Sequence, residues 1–161
     1  MKSRWLLKMI VSLGVGLFPG PQGTYGSFLA AGIGALWIAG GGVLSGWSYV
    51  GVALCLGAAA VFFCRLALRL QVFGEDADPG SIVIDEAAGM LVAMYGIRSL
   101  GWELLAALAL FRLFDITKPL GINALQRLPG AWGVVADDLL AGLYALLGWR
   151  ALAWLVGLAG G

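Results

Sequence analysis

The sequence predicts an all-α membrane protein, a polytopic helix bundle with an N-terminal amphipathic helix and some short, tilted or re-entrant helices. Its 161 residues are 61% hydrophobic and 12% charged, whereas a soluble domain has about 45–50% apolar and about 25% charged residues. Several apolar runs approach the roughly 20 residues that a membrane-spanning helix needs. Because no linker or shift in composition divides the chain, residues 1–161 are predicted to form one integral-membrane domain.

The first predicted element is a short amphipathic helix at the membrane interface, which carries Lys2, Arg4 and Lys8. A cleaved signal peptide is disfavoured, because Lys8 interrupts the apolar stretch and no small-x-small cleavage site follows it. A Gly/Pro-rich loop, Phe18–Ser27, comes next. Two apolar helices follow that are long enough to cross or nearly cross a bilayer, at about Phe28–Leu44 and about Trp47–Leu70.

The apolar segment Ala87–Phe111 fits either one long span or two short ones. A single crossing would place the basic residues after position 111 outside, against their tendency to stay on the cytoplasmic side. Two passes keep every basic cluster inside. We therefore predict a turn at Arg98–Gly101, between helices at about Asp85–Ile97 and about Trp102–Thr117.

The last apolar helix is predicted at about Ala136–Leu158 and begins with the pair Asp137 and Asp138. This topology brings four polar segments to the cytoplasmic face: the Gly-rich loop, the acidic pair at positions 85 and 86, the polar segment 112–118 and the aspartate pair. Their convergence predicts a functional site at that face. Some apolar segments are too short to span upright, which predicts tilted or re-entrant helices.

Composition excludes several classes of function. The chain has no histidine, which excludes a phosphohistidine intermediate and an imidazole general base. A net charge of +1 without a basic stripe gives no basis for nucleic-acid binding.

Cys55 and Cys64 lie nine positions apart in one apolar run, which places them on opposite sides of a helix as small core or lipid-facing residues.

Asp85 and Glu86 stand directly before a strongly apolar segment, where a carboxylate is costly unless it is paired or holds a metal. The competing interpretation is a helix start, since acids favour the N-terminal end of the helix dipole. Gly89, four residues after Asp85, leaves an open patch beside the carboxylate where another helix or a ligand could approach. We favour a divalent-cation site here, and we keep both interpretations open for Asp137 and Asp138, where Gly142 repeats the spacing.

Arg112, Asp115 and Lys118 recur every three residues along a helix that Pro119 ends. A salt-bridge ladder at the interface is one interpretation. A phosphate site is the other, with Arg112 as a planar fork, Lys118 as a point charge and Asp115 as a metal ligand. The two interpretations are compatible.

The loop before the first apolar helix contains hydroxyls and backbone N–H groups that suit a phosphate. Glycine-rich turns also serve simply to turn the chain, and no GK[ST] sequence of a Walker A loop follows. The candidate phosphate-binding residues in this loop are Gly23, Thr24, Gly26 and Ser27.

Four ordered motifs, between about Gly16 and Gly142, together resemble those of the phosphatidylglycerophosphatase A family, small magnesium-dependent lipid phosphatases of bacterial inner membranes. The family pattern has Pro followed by PGTxGS, then DPxxIVxDExxG, FRxxDxxKP and GxGxxxDDxxAG. The departures fall at loop positions: Gln22 and Gly121 replace prolines and Ala131 replaces a glycine. The matching residues are Pro19, Gly23–Ser27, Asp78, Pro79, Ile82, Val83, Asp85, Glu86, Gly89, Phe111, Arg112, Asp115, Lys118, Pro119, Gly133, Asp137, Asp138, Ala141 and Gly142.

The resemblance implies hydrolysis of phosphatidylglycerophosphate to phosphatidylglycerol and phosphate, by a multi-pass protein of the bacterial inner membrane whose site faces the cytoplasm. The implied cofactor is one or two Mg2+ ions, held by Asp85, Glu86, Asp115 and one or both of Asp137 and Asp138. Arg112, Lys118 and the Thr24–Ser27 loop would bind the phosphomonoester. Asp85, Asp115 and Lys118 are the predicted catalytic residues, and both water and a carboxylate (Asp85 or Asp115) stay open as the nucleophile.

Three other classes compete with this interpretation. A divalent-cation transporter or channel should carry acids near mid-span, whereas here they cluster at helix starts among cations. The sequence lacks the DGxxAR-type motif of headgroup phosphotransferases. A purely structural subunit would not need four converging polar clusters. Homo-oligomerisation is left open.

Overall fold

The computed structural model describes residues 2–74 and 80–159, and within them the chain is helical with no strand, as predicted. Asp78 and Pro79 of the second motif lie outside the described residues. A 3-10 turn at Val15–Leu17 joins the first two helices. The α-helices are α1 (Lys2–Ser12), α2 (Gln22–Ala39), α3 (Gly46–Arg69), α4 (Ile84–Ala93), α5 (Trp102–Thr117), α6 (Ile122–Leu125) and α7 (Ala131–Ala159).

The predicted N-terminal helix is present as α1 and has two different faces. Leu7 and Val11, one turn apart, are buried, whereas Trp5 is exposed. The carbonyl of Val11 accepts a hydrogen bond of 2.9 Å from the backbone N–H of Val83. This bond fixes α1 beside the segment that leads into α4.

The ten-residue helix α4 is the centre of the bundle, because it packs against α2, α3, α5 and α7. Its closest neighbour is α7. A Cβ atom at Gly142 would lie 2.2 Å from the carbonyl oxygen of Gly89, and one at Gly89 would lie 2.5 Å from the carbonyl oxygen of Asp138. No side chain fits at either position, so these two glycines allow the α4 and α7 backbones to meet directly.

Two helices are long and apolar enough to cross a membrane, judged by length and composition. They are Gly46–Arg69, with a mean hydropathy of 2.1, and Ala131–Gly157, with 1.6. Large apolar side chains on both helices point away from the bundle, among them Leu54, Phe62 and Trp154.

The helix boundaries differ from the prediction in α2, α4 and α7. The predicted loop Phe18–Ser27 is wrong from Gln22 onward, because α2 already begins there. Helix α2 also ends at Ala39 rather than at about Leu44, since Gly40 caps it and Gly41 takes a φ of +84°. Helix α4 stops at Ala93 rather than Ile97, since Gly96 takes a φ of +94° and donates its N–H to the carbonyl of Leu44 at 2.7 Å. Helix α7 begins five residues earlier than predicted, and α6 was not predicted.

The early start of α7 changes the interpretation of its aspartates. Asp137 and Asp138 lie in the second turn, not at the beginning of the helix. The first-turn dipole therefore does not account for them, because that effect falls off beyond the first turn. In contrast, Asp85 and Glu86 do lie in the first turn of α4, as predicted.

Candidate functional site

Four helix segments bring the predicted polar residues together at one end of the bundle. They are the first two turns of α2, the first turn of α4, the last two turns of α5 with its C-cap, and the second turn of α7. Contacts between side chains join these segments: Arg112 of α5 reaches Ser27 of α2, and Lys118 at the end of α5 reaches Asp137 of α7. The convergence predicted from topology is therefore present in the fold.

Three carboxylates form the acidic part of the site. One oxygen from each of Asp85, Glu86 and Asp138 lies within 4.8 Å of the others. Asp85 and Asp138 are each only 4% exposed. Among the described residues, Glu86 Oε2 is buried without a hydrogen-bond partner. An orphaned carboxylate oxygen beside two buried carboxylates is a donor set that suits a hard divalent cation.

Electrostatics supports the same conclusion. Burial, and next the negative charge of Asp138, raise the pKa of Glu86 to about 8. The carboxylates therefore resist being ionised together in the apolar interior. A divalent cation among them would remove that repulsion, so the residues present fit such an ion.

Arg112 and Lys118 form the basic part of the site. Arg112 Nη1 lies 2.5 Å from Asp115 Oδ2, while its Nε is buried and has no hydrogen-bond partner among the described residues. The Lys118 amine donates to the carboxylate of Asp137 and lies 4.0 Å from Asp115 Oδ1. Burial lowers the pKa of Lys118, but the hydrogen bond and charge of Asp137 outweigh it and leave the pKa raised. Lys118 thus stays a cation.

The predicted salt-bridge ladder is therefore present, and one donor of Arg112 is left without a partner among the described residues. Asp115 and Asp137 hold the two cations in place at the edge of the acidic cluster. The unpaired Nε of Arg112 leaves a buried donor for a further anionic acceptor. Lys118 ends α5 in a left-handed conformation, with φ of 46°, which is uncommon for a residue with a side chain.

The residues predicted to form a phosphate loop lie instead in the first two turns of α2. Ser27 is fully buried; its hydroxyl donates to the Gly23 carbonyl at 2.8 Å and accepts from Arg112 Nη1 at 3.3 Å. A Cβ atom at Gly23 would lie 2.1 Å from Glu86 Oε1, and one at Gly26 would lie 2.8 Å from Val83 Cβ. Gly23 and Ser27 thus lie against the charged side chains of Glu86 and Arg112, whereas Gly26 lies against Val83. Thr24 is half-buried on the same turns.

Two contacts of the site were missed by sequence reasoning. The first is the contact of Gly23 with the Glu86 carboxylate. The two residues are far apart in the chain, and the sequence predicts a phosphate contact for Gly23 and a metal for Glu86. Likewise, the pairing of Lys118 with Asp137 depends on how α5 packs against α7. Neither contact leaves a local sequence signal.

A partly buried arginine and lysine beside clustered carboxylates, at the end of an apolar helical bundle, indicate an enzyme that acts on phosphate esters. The comparison with known families makes this specific. The chain belongs to the phosphatidylglycerophosphatase A family, whose model matches residues 8–153. It is accordingly a phosphatase, as the resemblance of its motifs predicted.

Three curated relatives match over most of their length. A Haemophilus influenzae protein named phosphatidylglycerophosphatase A is 35% identical over 144 residues, which cover 86% of this chain and 83% of that protein. An Escherichia coli protein of the same name is 31% identical, covering 89% and 80%. A Bacteroides thetaiotaomicron protein provisionally named phosphatidylinositol-3-phosphatase is 31% identical, covering 98% and 100%. No solved structure matches the chain.

Proposed function

We propose that this protein is a Mg2+-dependent phosphatidylglycerophosphatase, which hydrolyses phosphatidylglycerophosphate to phosphatidylglycerol and inorganic phosphate. The observation that carries the proposal is a three-carboxylate cluster beside a partly buried arginine and lysine, which Asp115 and Asp137 hold in place at one end of an apolar helical bundle. The names of two relatives support the choice of substrate.

Asp85, Glu86 and Asp138 are the proposed metal ligands that the geometry favours most. Carboxylate oxygens are the ligands that Mg2+ prefers, and the orphaned Glu86 Oε2 supports this role. Asp115 and Asp137 stay proposed as further ligands, although their ion pairs with Arg112 and Lys118 favour a role as counter-ions. A bound Mg2+ would supply Lewis-acid stabilisation of the charge on the phosphoryl oxygens.

Arg112 and Lys118 are proposed to bind the phosphomonoester. The fork of Arg112 suits two phosphate oxygens, and the amine of Lys118 adds a point charge. In the reaction, the phosphorus–oxygen bond to the glycerol headgroup breaks, that oxygen takes up a proton, and water supplies the oxygen of the released phosphate. The two cations hold the phosphoryl group while charge develops on its oxygens.

Gly23, Thr24, Gly26 and Ser27 were predicted to bind phosphate directly. The burial of Ser27 and its bonds to Gly23 and Arg112 favour an indirect role, in which α2 positions the arginine. Thr24 keeps its proposed role toward the substrate.

The nucleophile is proposed to be water, with a carboxylate nucleophile as the alternative. An aspartyl-phosphate on Asp85 or Asp115 would form if the carboxylate attacked first. Rapid acid quench with 32P-labelled substrate distinguishes the two: label retained on the protein indicates the carboxylate, whereas inversion at a chiral phosphorus without retained label indicates water.

The proposed location is the bacterial inner membrane, with α3 and α7 as spans and the site on the cytoplasmic side. The length and apolar composition of the two helices support the spans. The clustering of Arg65 and Arg69 in the last turns of α3 supports the orientation. A divalent-cation transporter is disfavoured, because α3 carries no acidic residue and the acids of the site lie near helix ends.

The proposal is tested by phosphate release from detergent-purified protein with Mg2+ or EDTA. The substrates are phosphatidylglycerophosphate, phosphatidic acid and phosphatidylinositol 3-phosphate, the last because of the name of the Bacteroides relative. We expect Mg2+-dependent release from phosphatidylglycerophosphate and much slower release from the other two. Faster release from phosphatidylinositol 3-phosphate would overturn the assigned substrate and leave the phosphatase class intact.

Alanine substitutions test the assigned residues. Asp85→Ala, Asp115→Ala and Lys118→Ala should each lower kcat by at least about a hundredfold, the range seen when a group that stabilises transition-state charge is removed. Glu103→Gln is the matched control, because it removes an acid from the opposite end of α5. Normal turnover in any of the three would remove that residue from the site.

A further inference from the structure

An apolar cleft runs along the bundle between α2 and α3. Both helices pack against α4, yet they make almost no contact with each other. The space between them has a volume of about 520 Å3 and is floored by Ala87 and Leu91 of α4. Its walls include Ile33 of α2 and Val52 of α3. We call this space the α2–α3 cleft.

The α2–α3 cleft begins beside the candidate site. At its near end lie Ala87, the residue after Glu86 in α4, and Ala30, which follows Ser27 by three residues in α2. From Ala87 the cleft extends along α4 to Met94, a rise of about 10 Å. A molecule that placed a phosphate at the site would therefore find an apolar channel next to it.

The lining of the cleft suits hydrocarbon. Among the described residues, no charged side chain lines it, and its polar side chains are those of Ser48, Tyr49 and Trp37. The hydroxyl of Tyr49 donates to the carbonyl of Leu91 at 2.7 Å. Similarly, the indole N–H of Trp37 donates to the carbonyl of Val43 at 3.4 Å. The polar tips of both aromatic residues are thus turned to the backbone, and their apolar surfaces are left for an occupant.

The cleft is open along one side, since Ile33 and Val52 on its walls are 60% and 58% exposed. At its far end lies Leu44, which is 3% exposed and whose carbonyl accepts the N–H of Gly96. An apolar cleft that begins beside a phosphate site and opens along its length fits a flexible hydrocarbon chain.

We propose that the α2–α3 cleft binds one acyl chain of the lipid substrate. This inference rests on the proposed function, because it assigns a binding site to the hydrophobic part of the substrate whose phosphate occupies the site described above. Seating the chain between α2 and α3 would fix the depth and direction of the headgroup. The enzyme would then discriminate substrates by their acyl chains as well as by their phosphate.

The test compares two tryptophan substitutions on α3. Val52→Trp fills the cleft, whereas Leu54→Trp, the matched control, lies in a separate apolar depression between α3, α4 and α7. Both wild-type side chains are exposed, at 58% and 69%. For each variant, kcat/KM is measured on dioleoyl and on dihexanoyl phosphatidylglycerophosphate in mixed micelles. Crosslinking with a diazirine-labelled dioleoyl substrate provides a readout that does not depend on turnover.

We expect Val52→Trp to lower the ratio of dioleoyl to dihexanoyl kcat/KM by about tenfold or more, the discrimination typical of a hydrophobic pocket. Leu54→Trp should leave that ratio unchanged, and the crosslinks in wild type should fall on α2 and α3. An unchanged ratio in Val52→Trp, or crosslinks that miss α2, α3 and the floor residues of α4, would overturn the inference while leaving the proposed function standing. If the wild-type protein is an oligomer, a lower oligomeric mass of Val52→Trp without a change in the ratio would also overturn it, because the cleft would then be a contact between copies. Failure of wild type to hydrolyse either lipid would overturn the proposed function, and this inference with it.

Discussion

Asp137 and Asp138 are neighbours in the chain but have different partners. The carboxylate of Asp137 accepts the Lys118 amine, whereas that of Asp138 lies among the oxygens of Asp85 and Glu86. On a helix, adjacent side chains diverge by about 100°, so one aspartate turns toward the basic part of the site and the other toward the acidic part. The sequence motif presents them as a pair and cannot separate these roles.

Asparagine substitutions at the two positions should therefore have different effects. We expect Asp138→Asn to weaken divalent-cation binding by about 10–100-fold, as for loss of a group that supports a metal site. Asp137→Asn should change cation affinity by less than about threefold and raise KM, because Lys118 loses its partner. Binding is measured by Mn2+ titration monitored by electron paramagnetic resonance. Equal losses of Mn2+ affinity would show that Asp137 is also a ligand.

Ser27 is a positioning residue in this structure, because its buried hydroxyl contacts Arg112 and Gly23. Ser27→Ala should raise KM about fivefold, the effect of losing one hydrogen bond worth about 1 kcal/mol. The affinity for Mn2+ and the melting temperature should stay close to wild type, which distinguishes positioning from a structural role. Ser99→Ala, at an exposed turn, is the control. A wild-type KM in Ser27→Ala would contradict this role.

At the scale of helices, the site depends on how closely α4 approaches α7. Gly89 and Gly142 are in direct backbone contact, and the carbonyl of Asp138 lies against Gly89. This contact sets the distance between the α4 carboxylates and that of Asp138. A spacing of four residues between an acid and a glycine appears in both helices, Asp85 with Gly89 and Asp138 with Gly142, so the sequence did indicate that close approach.

Gly142→Ala should separate the two helices. The added methyl group would meet the Gly89 carbonyl, and overpacking of this kind typically costs about 1–3 kcal/mol. We expect a lower melting temperature in detergent together with weaker Mn2+ binding. Gly157→Ala is the matched control on the same helix, because nothing lies within 4 Å of its added Cβ atom. Wild-type Mn2+ affinity in Gly142→Ala would mean that the helix contact does not set the metal geometry.

The helix order and most helix cores follow from apolar periodicity, and α5 begins and ends at the predicted residues. The boundaries of α2, α4 and α7 do not, because tertiary packing decides them. Gly23 and Gly26 predict a loop by local propensity, yet their missing side chains let α2 pack as a helix against α4. The same packing moves Ser27 from an expected phosphate ligand to the buried partner of Arg112.

At the scale of the whole molecule, the predicted topology places the turn at Arg98–Gly101 outside and the segment after α6 inside. Single cysteines test it in a Cys55→Ser background. Ser99→Cys should react with an impermeant maleimide in intact cells, whereas Gln126→Cys, which is equally exposed in the fold, should react only after permeabilisation. The reverse pattern would place the active site on the outer side, and reaction of both in intact cells would contradict the predicted crossing by α5 between them.

The sequence predicts which residues form the candidate site, but it does not predict which of them contact each other. The four motifs identify the charged residues, and the balance of basic residues brings them to one end. The sequence does not show that the five carboxylates form two groups. Asp85, Glu86 and Asp138 cluster together, whereas the other two pair with Arg112 and Lys118. That division depends on the rotation of each helix about its axis, which packing fixes.

One site, built from four helix segments, is proposed to hydrolyse phosphatidylglycerophosphate with the help of a divalent cation. The most direct measurement is phosphate release from this lipid by wild type and Asp138→Asn after EDTA treatment, during titration with Mg2+. We predict that wild type recovers fully and that Asp138→Asn needs at least about tenfold more Mg2+ for half of its maximal rate. Release that continues in EDTA, or identical Mg2+ curves for the two proteins, would contradict the account.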